Sequence, residues 1–140
     1  MKKLLLLMMI TMSMWAGSVE GIKAQLISKI ATALVDKPSI NLYILDDNYQ
    51  NLDTLFYRIN QVPTCQAADM VIAHEMQLVQ TFCGTKTPLI LMTSYREYKQ
   101  SPLAIGALFW QKGRPNLILN AQNIEVLSIK PPKEFSKYFE

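Results

Sequence analysis

Apolar residues follow two rhythms along this chain, and each predicts a different kind of element. Between Glu20 and Val35, Ile22, Leu26, Ile27, Ile30, Ala31 and Leu34 recur three and four residues apart, while Lys23, Gln25, Ser28 and Lys29 fall on the other side. That spacing predicts an amphipathic helix, and it stops at Lys37-Pro38, where the proline disfavours helical geometry in the residue before it. Ile40 to Leu45 reads as a strand, with Asp46-Asp47-Asn48 as its turn. A second helix is expected over Leu52 to Ile59, with Leu52, Leu55, Phe56 and Ile59 inward.

Two short runs, Met70 to Ala73 and Leu89 to Met92, are apolar without alternation. Strands of that kind are covered on both faces, the habit of parallel sheets flanked by helices. A brief helix from Glu75 to Phe82 would join them, so the order this far is αβαβαβ with parallel crossovers. The pattern then changes. Ala104 to Trp110 and Asn116 to Leu119 are strands joined by Gln111-Lys112-Gly113-Arg114-Pro115, a hairpin with glycine where a positive φ is needed. Asn120 to Leu127 reads as a short helix, and Pro131-Pro132 introduces a last helical turn with Phe135 and Phe139 on one face. The expected fold is a single α/β domain: a small mixed sheet, parallel in its first half and ending in an antiparallel hairpin, flanked by helices.

The first eighteen residues follow neither rhythm. Lys2 and Lys3 precede an apolar stretch from Leu4 to Trp15, and Ala16-Gly17-Ser18 offers small residues for cleavage. An apolar run of about twelve residues is shorter than the roughly 20 that a membrane-crossing helix needs, so 1–18 reads as a secretory signal peptide and 19–140 as the exported domain. The localisation expected is periplasmic. An uncleaved anchor is the alternative.

Charge narrows the partners. Without Lys2 and Lys3 the chain carries twelve basic residues against eleven acidic, too even a balance for nucleic acid, which needs a concentrated positive face. Residues 86–140 hold eight basic and four acidic groups, so the second half is the more basic. Cys65 and Cys83 both fall in the exported part. An even count in that setting suggests a disulfide, and both precede strands that can be neighbours. With His74 as the one histidine, a four-ligand zinc site is not expected.

In a parallel sheet, ligands gather beyond the carboxyl ends of the strands. Here those ends bring Asp46-Asp47, His74-Glu75 and Thr93-Ser94-Tyr95-Arg96. Asp47, His74, Ser94 and Arg96 are therefore the ligand-binding candidates, suited to a small anion. Ordinary roles compete: Ser94 and Glu97 match a capping box, and Asp47-Asn48 suits a turn. No G-x-S-x-G elbow, phosphate-cradling glycine loop or cofactor motif occurs, and His74 alone cannot make a triad. No catalytic residue, metal site or cofactor is expected. On the hairpin, Phe109 and Trp110 point to opposite faces, and the tip with Lys112 and Arg114 should meet solvent. These four are the partner-binding candidates.

Three segments carry a family resemblance. Leu89-Ile90-Leu91-Met92-Thr93-Ser94-Tyr95, then Ile105 to Gly113, then Asn116-Leu117-Ile118-Leu119-Asn120 resemble the second half of the periplasmic YfiR-type proteins. Gly106 and Asn120 match recurrent residues of that family, and Cys65 to Ala73 matches its Cys-preceded middle strand. Of the family's Trp-Pro after the first helix only Pro38 is kept. The resemblance implies a non-enzymatic periplasmic regulator that binds the periplasmic domain of an inner-membrane signalling protein, a diguanylate cyclase or a kinase; a homodimer is left open. The alternative is a small solute-binding module that uses the polar strand ends. Signal cleavage is checked by intact mass: protein recovered from the periplasm should begin near Val19, and retention of Met1 in a membrane fraction would contradict it.

Overall fold

The structure is a computed structural model, and it describes residues 19–50, 55–84 and 88–140. The expected signal segment lies outside the described residues. Six strands form one sheet: β1 (Ile40–Ile44), β2 (Ile59–Gln61), β3 (Met70–Ala73), β4 (Leu89–Met92), β5 (Gly106–Gln111) and β6 (Arg114–Leu119). Their spatial order is β2-β1-β3-β4-β5-β6. Neighbours are parallel as far as β5, and β6 returns antiparallel to it. The helices described are α1 (Val19–Leu34), α2 (Met76–Cys83), α3 (Tyr95–Gln100) and α4 (Ala121–Val126), and 133–138 form a 3-10 turn. This is the small mixed α/β sheet that the hydrophobic pattern predicts.

Strand pleating sorts the core into two halves. Along β3, Met70 and Ile72 face one side, Val71 and Ala73 the other, and all four are fully buried. The first side is covered by Ala24, Ile27, Ile30, Ala31 and Leu34 of α1, by Ile124 of α4, and by half-buried Phe135 and Phe139. The second side receives Val79 and Cys83 of α2 and Tyr98 of α3. Each buried Ile or Leu contributes about 1.5–3 kcal/mol relative to exposure, so the layers hold together by area, and truncating Ile72 in the centre would leave an unfilled cavity.

Polar contacts tie the loops at the amino ends. Asp69 accepts from Lys37 Nζ at 2.6 Å and from the Asn41 N–H at 2.9 Å, which fastens the α1–β1 connection to the start of β3. At the hairpin, Lys112 (φ 53°) and Gly113 (φ 75°) both take left-handed backbone, the twist a two-residue turn needs between antiparallel strands. The ladder accordingly runs closer to the turn than the sequence pattern suggests, and Gln111 pairs with Arg114. Gly106 is required for another reason. A Cβ there would collide with the Ile118 carbonyl oxygen and lie 2.9 Å from Leu119 Cδ2.

One expected element is different. The first part of the helix predicted over Leu52 to Ile59 lies outside the described residues, but 55–58 are not helical and Ile59 opens β2. Main-chain bonding accounts for this. The Phe56 N–H is given to Ser28 Oγ of α1 at 3.2 Å, Ile40 N–H to Arg58 C=O at 2.8 Å, and Val62 N–H to Leu42 C=O at 2.8 Å. Pairing with the otherwise open edge of β1 thus prevails over a weak helical spacing. Ile59 is buried as expected, whereas Phe56 is 37% exposed.

Cys65 and Cys83 are bonded, with Cα atoms 5.3 Å apart. Cys65 precedes β3 and Cys83 closes α2, so the bridge clamps the α2 crossover at the amino pole. Closing a loop of this size contributes about 3 kcal/mol. Cys83→Ser is expected to lose that amount in urea unfolding, reductant should lower the unaltered protein equally, and thiol labelling of native protein should find neither cysteine free.

Candidate functional site

The strand pleat continues past the last apolar layer and changes its chemistry there. Ile44, Ile72 and Leu91 are fully buried on the α1 face of β1, β3 and β4. The next positions on that face, two residues further along each strand, are Asp46, His74 and Thr93. The sheet order brings these three ends side by side. The gap between β1 and β3 is also where the strand order reverses, since β2 lies on one side of β1 and all later strands on the other, and such switch points are the usual ligand crevices of open α/β sheets.

The three side chains bond to one another. Thr93 Oγ1 donates to Asp46 Oδ2 at 2.6 Å, and the Asn48 N–H donates to Asp46 Oδ1 at 2.9 Å. Asp46 is 6% exposed, so a carboxylate removed from water is satisfied by local donors. His74 Nδ1 lies 3.3 Å from Thr93 Oγ1 and 3.8 Å from Asp46 Oδ2. Because the Thr93 hydroxyl hydrogen goes to Asp46, its oxygen can only accept from His74, which places a proton on Nδ1. Nε2 is the ring nitrogen left outside this group, on a side chain that is 57% exposed. Chemically this is a buried acid orienting a surface imidazole through a hydroxyl.

Of the residues expected in a strand-end pocket, the structure brings only His74 into this group. Asp47 is exposed at the start of a 3-10 turn. Ser94 accepts the Glu97 N–H at 3.3 Å and caps α3, the ordinary role that competed for it. Arg96 is exposed on α3. Asp46 and Thr93 are the members that sequence reasoning passed over for their neighbours. The signal that finds them is pleat parity: each stands two residues after a buried aliphatic on one face.

The hairpin rises beside the same pole. Ala107 pairs with Met92 at the end of β4, and β5 runs on to Gln111, about 13 Å further at roughly 3.3 Å per residue. Phe109 turns to the α3 face and packs on Tyr95 with ring centroids 5.2 Å apart. Trp110 turns to the α1 face and its Nε1–H donates to Tyr49 Oη at 3.2 Å. Burial raises the Tyr49 phenol above its usual range; the Trp110 N–H opposes this and the Asp46 charge adds to it. Both hairpin aromatics are half-buried, while the tip with Lys112 and Arg114 is exposed. A cavity of about 590 Å³ lies along the hairpin, lined by Tyr95, Phe109, Asn116 and Ile118 among others. The strand-end candidates and the hairpin candidates therefore share one end of the sheet.

Neither a family model nor a curated protein matches this sequence. Among the described residues, no group of three or more His, Cys, Asp or Glu side chains is placed to hold a metal ion. The Asp46–Thr93 bond is directly testable. Thr93→Val keeps the shape and removes the donor, so it should lose about 1.5–3 kcal/mol, the range for a hydrogen bond to a charged group, while Thr93→Ser should keep most of it. Equal urea midpoints for the two variants would show that the bond adds nothing.

Proposed function

We propose that this protein is a non-enzymatic regulator that works outside the cytoplasm and docks on the sensor domain of a membrane signalling protein, of the cyclase or kinase type. The observation that carries this reading is the hairpin. It projects beyond the sheet, presents Lys112 and Arg114 to solvent, and backs them with half-buried Phe109, which packs on the exposed Tyr95 ring. Aromatic anchors beside a charged rim are the usual composition of an interface centre.

Three further features support it. The Cys65–Cys83 bond suits an oxidising compartment. No helix among the described residues is long and apolar enough to cross a membrane, so a membrane partner would be met by docking. The resemblance to YfiR-type proteins rests partly on Gly106 and Asn120, and both hold demanding positions. Gly106 has no room for a Cβ, and Asn120 Oδ1 caps α4 by accepting the Asn123 N–H at 3.0 Å.

A second reading, a small solute-binding module, draws on the exposed His74 imidazole beside the β1–β3 switch point. The two separate by mutation. Replacing Lys112 and Arg114 together by Ser should change stability by about 0.5 kcal/mol or less, yet slow association with the membrane partner and reduce its salt dependence. Pull-down from membranes with mass-spectrometric identification of a cyclase or kinase reads the outcome. Undiminished capture by that double variant, together with loss of capture by Arg96→Ser or His74→Gln, would move the site to the strand ends.

A further inference from the structure

The outer edge of the sheet at β6 is not left open. Phe139 forms a parallel bridge with Leu119, and the Glu140 N–H donates to Leu119 C=O at 3.0 Å. The Asn120 N–H donates to Ile105 C=O at 2.8 Å, so Asn120 faces β5, and main-chain alternation turns Leu119, Leu117 and Pro115 outward. Proline has no N–H to leave unpaired, which closes that end of the edge to a pairing strand. Leu117 and Leu119 are the stretch that can take one.

What occupies this stretch is held by its side chains as much as by its backbone. The Glu140 carboxylate accepts from Tyr98 Oη at 2.9 Å and from Lys99 Nζ at 2.8 Å, both on α3. Lys99 first, and Tyr98 with it, hold the Glu140 carboxyl below its usual range; burial, aided by the bond to Glu140, pushes the Tyr98 phenol up to about 12. Phe139 and Tyr138 are only half-buried. Beside the preceding turn an open groove of about 420 Å³ is lined by Phe135 and Tyr138 on one side and Lys29 and Thr32 of α1 on the other, and the buried Thr32 Oγ1 has no hydrogen-bond partner. A half-buried segment beside an open groove opens more easily than the fully buried sheet it rests on.

We propose that the outer edge of β6, with Tyr98 and Lys99, is a strand-addition site for an extended segment of a partner protein in which an aromatic residue is followed by a carboxylate, and that residues 138–140 occupy it in the chain by itself. Each requirement follows from a contact already made: an extended backbone from the Leu119 bridge, an aromatic from the Phe139 seat, and an acid from the paired phenol and ammonium. Strand addition of this kind takes affinity from main-chain bonds and specificity from side-chain seats. The site lies away from the hairpin tip, so it stands whichever protein the tip meets.

The test uses the full chain and a synthetic peptide with the sequence of residues 133–140 as probe. Glu140→Lys sets like charges against each other at Lys99 and should release the resident segment. The peptide should bind this variant about tenfold or more tightly than the unaltered chain, because an internal competitor has been removed. Adding Tyr98→Phe and Lys99→Ser should abolish that gain. Amide exchange at Leu119 should quicken in Glu140→Lys and slow again with peptide, while Ile72 and Leu91 stay protected and report that the sheet is intact. Should Glu140→Lys unfold, Glu140→Gln gives the same comparison with a milder change. Equal peptide binding by both chains overturns the proposal, and so does a Leu119 amide that exchanges only together with Ile72 and Leu91.

Discussion

The need to cover both faces of β3 and β4 shapes most of this molecule. Met70 to Ala73 and Leu89 to Met92 offer no polar position to water, and nearly all of these side chains are buried. A sheet centred on them needs a helical layer on each side, and a parallel arrangement supplies it because every crossover can carry a helix. α1 is the broad cover on one face; α2 and α3 are the shorter covers on the other. The disulfide then joins the end of α2 to the turn before β3, holding a short crossover that has little area of its own to bury.

The same alternation that builds the core also sets its limit. Where the aliphatic layer of Ile44, Ile72 and Leu91 ends, the next layer on that face is Asp46, His74 and Thr93. A buried carboxylate costs several kcal/mol unless it is hydrogen-bonded, and Asp46 is satisfied by Asn48 and Thr93. His74 is oriented as a result rather than as a cause: the Asp46–Thr93 bond leaves one acceptor, and the imidazole takes it. Chemistry at this pole thus grows out of the way the sheet ends.

The two margins of the sheet are handled by different means. At one, β2 is three residues long and two of them are exposed, a short edge with little to offer another chain. At the other, Pro115 and the 138–140 segment restrict what β6 can pair with. That second margin is the longer one and lies against the aromatic side of the hairpin, so its closure matters more. Polar contacts from α3 carry the closure, which couples the edge of the sheet to the helix that also covers its second face and packs Tyr95 on Phe109.

Much of this was legible in the residues. The helical spacing of α1, the apolar runs of β3 and β4, the glycine of the hairpin and the Ser94 cap all express local preferences or one-dimensional periodicity, which a chain carries without reference to its fold. The pairing of Cys65 with Cys83 needed only their placement before adjacent strands. The segment 55–61 was not legible, because Leu55, Phe56 and Ile59 fit a helical stripe as well as a half-buried edge. The unpaired edge of β1 and the hydroxyl of Ser28 decided between them. Nor did the sequence by itself separate Asp46 from Asp47, or Thr93 from Ser94. One position of strand pleat moves a side chain from a buried layer to solvent, and which of two neighbours faces inward depends on where the strand sits in the sheet. The union of hairpin and strand ends at one pole, and the closing of β6 by a segment some twenty residues further on in the chain, depend on contacts between distant residues, and only the tertiary structure could set them.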